Sequence, residues 1–142
     1  MPATDAAIES LARRMIDRTL PKAEWTHRGH WAFALWLTRH RPELTRPDAV
    51  RRLISGYNEA VGTPNSDSEG YHHTITLASM RGARSVLDGF CANASLAGLL
   101  DNLMASPMGA RDWLLSHWRR DTLFSVTARR EWVEPDLVPL PF

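Results

Sequence analysis

Seven consecutive apolar residues, Trp31 to Leu37, lie in the middle of a stretch bounded by Pro21 and Pro42. Seven residues wind almost twice around an α-helix, so this segment is apolar on most of its circumference and must be surrounded by other protein. It is far too short to cross a bilayer, which takes roughly 20 such residues. The chain is therefore expected to wrap its remaining elements around this segment.

Those elements read as helices. Val, Ile, Thr and the aromatics are scattered rather than alternating, and the stretches between Pro and Gly breakers have helical length. A first helix is expected from Thr4, a good N-cap, to about Leu20. A second runs from Pro21 to His40, and a third from Ala49 to Val61 with Gly62 past its end. The turn-rich segment Gly62 to Gly70 follows as a loop of the kind that often lies over a site. A fourth helix is expected from Tyr71 to Phe90, then shorter ones over Ser95 to Ala105, Pro107 to Trp118 and Ser125 to Glu131. The expected architecture is a single all-α domain over residues 1–142, a compact bundle of four main helices with short C-terminal helices and an extended Pro-rich tail packed on the body.

Composition removes several function classes. Seventeen Lys and Arg against sixteen Asp and Glu give a net charge of +1, so no bulk field attracts nucleic acid or an anionic membrane. A single cysteine, Cys91, rules out an internal disulfide and zinc-finger spacing. The N-terminus has no apolar run ahead of a small-residue cleavage site, so a cytoplasmic location is expected. No nucleophile elbow and no phosphate-binding glycine loop is present. The arginine pairs at 13–14, 51–52, 119–120 and 129–130 are interleaved with acids and read as solvated faces, and most of the six tryptophans read as core.

The histidines carry the chemistry. At about 100° per residue, Arg28 and Arg39 fall within about 20° of one another and set the wet face of the second helix. His27 and His30 lie about 60° apart and point away from it. On the fourth helix His72 falls in an apolar arc with Ser79 and Ala83, and His73 falls at the polar edge. If helices two and four run parallel, His27, His30 and His72 reach one level. Three neutral imidazoles there would hold a divalent transition metal (zinc, nickel, manganese or iron) with positions open for water or substrate. Glu24, one turn before His27, and His73 are then candidates to assist catalysis, and Tyr71 and Asn65 to orient substrate. The alternative is a non-catalytic binding or assembly module in which the same histidines form a metal-free polar network. His40 reads as a helix-end cation and His117 as structural.

The stretches Glu24-Trp25-Thr26-His27-x-x-His30-Trp31, Tyr57-Asn58, Gly70-Tyr71-His72-x-Thr74 and Val133-Glu134-Pro135-Asp136 resemble a family of small, uncharacterised bacterial helical proteins. Its members carry an aromatic-x-His-x-x-His motif followed by a Tyr-His-Glu-Thr motif, and the likeness covers the chain from Lys22 onward. The resemblance implies His27, His30 and His72 as site residues. His73 stands where those proteins often have Glu. The arrangement is similar in spirit, though not in spacing, to the three-histidine metal bundles of the DinB-like group. On this reading the protein is a mononuclear metal protein, a hydrolase-like enzyme acting on a small, anionic molecule, with a homo-oligomer allowed.

Overall fold

The computed structural model describes residues 3–142, and among them every regular element is helical. Helix α1 spans Asp5–Ile16, and the Ala7 N–H donates to Thr4 Oγ1 at 3.1 Å, as an N-cap threonine allows. Its buried stripe is Ile8, Leu11, Ala12 and Met15. The helix stops before the expected Leu20 because Arg18 turns into the left-handed region at φ 64°, which tucks Leu20 into the core at 1% exposure.

The expected second helix is two elements. A short 3-10 turn, Lys22–Glu24, precedes α2, His27–His40. Thr26 restarts the chain by accepting the Gly29 N–H at 3.0 Å. Gly29 fits closely here, since a Cβ would approach the Glu24 carbonyl oxygen to 3.1 Å. Every residue from Trp31 to Leu37 is buried, and α2 packs against α1, α4 and α5. Helix α3 spans Pro47–Ala60 with proline in its first turn, and Gly62 follows at φ 78°. Helix α4 spans His73–Asp88, and α5 spans Leu96–Ala105 with Ser95 as its N-cap.

The segment expected as a helix from Pro107 to Trp118 is two 3-10 turns, Pro107–Gly109 and Trp113–Ser116. The break follows from packing: the Gly109 backbone lies so close to α5 that a Cβ would sit 2.6 Å from Met104 Cα. Helix α6, Arg120–Leu123, is not anticipated by the sequence; α7, Val126–Arg130, begins close to the expected start, with Ser125 as its N-cap.

The tail is pinned at several points. The Trp118 indole N–H donates to the Val133 carbonyl at 2.9 Å, the Leu137 N–H to the His117 carbonyl at 2.9 Å, and Asp136 accepts the Arg119 N–H at 2.8 Å. Trp118 is fully buried in a second apolar cluster with Ala78, Leu114 and Leu123. No helix of the described residues is long and apolar enough to cross a membrane.

Candidate functional site

A cavity of about 470 Å³ opens where the first turns of α2 and α4 meet α3, within the range that encloses small organic ligands. Trp25, Phe33, Ile54, Val61, Ile75, Met80 and Phe124 give it an apolar wall; His30, Asn58, Tyr71, Thr76, Ser79 and Arg129 supply polar groups. Behind His30 lies a second cavity of about 130 Å³, lined by His27, Ser79, Arg111 and Trp113 among others. His30, Ile75 and Ser79 belong to the walls of both.

His30 is the central group. Its ring is exposed and opens onto both cavities. Trp25 stacks on it with ring centroids 4.0 Å apart. Neither ring nitrogen is hydrogen-bonded to a described residue. Desolvation, with smaller contributions from the charges of His27 and Arg111, pushes its pKa down to about 4, so the ring is neutral at pH 7 with one N–H to donate and one lone pair to offer. His27, one turn earlier, donates from Nε2 to the Gly109 carbonyl at 2.8 Å, which leaves Nδ1 as its available nitrogen.

His72 does something else. It is the N-cap of α4 rather than a residue of its first turn: the Ile75 N–H donates to Nδ1 at 3.1 Å, and Nε2–H donates to the Leu123 carbonyl at 2.7 Å. Both nitrogens are occupied, so no lone pair remains for a metal although the ring lines the larger cavity. Burial is the main cause of its lowered pKa. Among the described residues no group of three His, Cys, Asp or Glu side chains is arranged to hold a metal ion, so the expected triad is not assembled.

Other expected positions shift too. His73 is buried, not a polar flank; its Nδ1 shares a hydrogen bond of 2.7 Å with the Tyr71 hydroxyl. Burial pushes the Tyr71 pKa up to about 12 and, acting first, lowers that of His73. Tyr71 does line the larger cavity. Glu24 precedes the break at Thr26, so it is not a helical turn from His27; it pairs with Arg14 at 3.1 Å beside a separate surface hollow. Asn65 is spent on the loop itself: its Oδ1 accepts from Asn58 Nδ2 at 2.9 Å and from the Tyr71 N–H at 3.0 Å, and its Nδ2 donates to the Ser55 carbonyl at 3.0 Å. Gly70 completes that clamp at φ 82°, where a Cβ would lie 2.2 Å from the Pro64 carbonyl oxygen.

Sequence reasoning missed the arginines. Arg129 donates to the Gly70 and Tyr71 carbonyls at 3.2 and 3.3 Å and lines the larger cavity, while Arg51 lies over the Tyr71 ring at 5.4 Å. Arg130 holds Asp67 through two hydrogen bonds, 2.8 and 2.7 Å. No spacing within the chain signals these contacts, because α7 is far from the loop in sequence. Trp25 and Asn58 fall within the quoted motifs but were given no role. Compared with known proteins, the chain matches no family model, no curated protein and no solved structure.

Proposed function

We propose that this protein binds a small organic molecule in the larger cavity, with His30 making the polar contact to it. One observation carries this reading: a neutral imidazole with both nitrogens free stands in the wall of an apolar cavity of about 470 Å³. An accessible ring whose nitrogens have no partner among the described residues, set in a mostly apolar wall, points to a partner that arrives from outside. The same nitrogen pair suits acid–base work on a bound substrate. The chain has isoleucines at only four positions, and Ile54 and Ile75 line the cavity while Ile8 and Ile16 lie on α1. Titration with 1-naphthamide, followed through labelled isoleucine methyls, is expected to move Ile54 and Ile75 and leave Ile8 and Ile16 in place. Equal movement of all four, or none with either this amide or the matching carboxylate, would refute the reading.

A mononuclear metal remains the second reading, supported by His27 Nδ1 and the His30 ring three residues apart on one helix. It is the weaker one, since Arg111 adds positive charge beside His30 and neither Asp nor Glu lines either cavity. Elemental analysis separates the two: this reading requires near one equivalent of metal, lost in His30→Ala and retained in His72→Ala.

A further inference from the structure

We propose that the small cavity behind His30 is an oxyanion subsite, so that the ligand is an organic anion whose carboxylate sits against Arg111, His30 and Ser79 while its apolar body fills the larger cavity. The inference rests on the reading that the larger cavity binds a small molecule, and it names the ligand's class.

Three observations carry it. Arg111 lines the small cavity and makes no hydrogen bond or ion pair with any described residue, so its guanidinium brings a full set of donors to that volume. His30, whose exposed ring lines the same cavity without a hydrogen-bond partner among the described residues, has an N–H to donate, and the Ser79 hydroxyl has no hydrogen-bond partner among the described residues. The surroundings repel no anion, because neither cavity is lined by a carboxylate. Size sorts the two ends of the ligand: about 130 Å³ is the share of liquid volume of a few water molecules, ample for a carboxylate, while the larger cavity has the room and the apolar wall for the body. The cavities adjoin at His30, Ile75 and Ser79, which places the charged head and apolar body of one ligand on either side of His30.

The test compares 1-naphthoate with the isosteric neutral 1-naphthamide on the full chain, read through methionine methyls: Met80 lines the larger cavity and Met108 the smaller. Naphthoate is expected to bind at least tenfold more tightly and to move both methyls. Arg111 is exposed and unpaired, so Arg111→Gln should fold normally and remove that preference. Should naphthamide move Ile54 and Ile75 while naphthoate binds no better, or should Arg111→Gln leave the preference intact, the subsite is refuted and the binding cavity stands. If neither compound moves Ile54 or Ile75, both readings fall.

Discussion

Replacing His72 with alanine separates the structural role of this ring from the ligand role that its position suggested. The substitution removes the side-chain cap of α4, a loss of about 1 kcal/mol at typical helix starts. It also strips the Leu123 carbonyl of its donor, and a buried acceptor left unpaired costs roughly 1–3 kcal/mol. Together these give a loss of about 2–4 kcal/mol, a large part of the roughly 5–15 kcal/mol that holds a domain of this kind together. Urea denaturation of the wild type and of His72→Ala, fitted with a common slope, measures it. His72→Asn is the informative companion, since asparagine caps helices well but cannot reach Leu123; it should recover about 1 kcal/mol of the loss. A loss below about 0.5 kcal/mol in His72→Ala, within the range of an ordinary surface substitution, would show that neither hydrogen bond matters and refute the reasoning.

Acid should weaken the fold through His30. Its folded pKa, about 4, lies below the unfolded 6.5, so between those values the unfolded chain takes up a proton that the folded one refuses. The contribution is complete above about pH 6.5 and is lost as the pH falls to about 4; the full shift would correspond to about 3 kcal/mol, reduced to about 1–2 by solvent reaching the ring. His72 and His73 are lowered too and act in the same direction, and His30→Gln should flatten the stability profile over this window. Gly70→Ala should cost about 2 kcal/mol or more by thermal denaturation, because alanine meets both a positive φ and the Pro64 carbonyl. Asn65→Ala should speed amide exchange at Tyr71, whose N–H it releases, while amides of α1 keep their protection. With Asp136→Ala, limited proteolysis should cut the tail sooner while the unfolding midpoint hardly moves, since the lost contacts join exposed groups.

The helical nature of the chain was legible because it rests on local chemistry. Thr4 caps the helix that it is expected to cap, Ser95 and Ser125 stand at the expected starts of theirs, and Gly62 takes the positive φ expected past the end of α3. The site was legible only in part. His30 was found by angle, since Trp31 to Leu37 fixed the helix whatever its start. His72 and His73 are both buried, and His72 departs from the angular reading because it is the cap of α4 and obeys no helical wheel. The turns around Gly109 go with a close backbone approach to α5, which periodicity does not register. Arg111 and Arg129 come to His30 and Tyr71 through tertiary folding alone.

The cap at the start of α5 bears on how the chain can be made. Asp5 accepts hydrogen bonds from Ser95 Oγ at 2.9 Å and from the Ala97 N–H at 2.8 Å, so the first helix is fastened by residues synthesised some ninety positions later. The walls around His30 extend later still, to Arg111 in one cavity and Arg129 in the other. A nascent chain that has passed α4 therefore carries an apolar α2 with its cover incomplete, and contacts of such long sequence separation form slowly. Ribosome-bound chains released at residue 90 should be held by chaperones or degraded, and those released past residue 130 should resist protease. Folding of α2 into its cover thus waits on segments as late as α7.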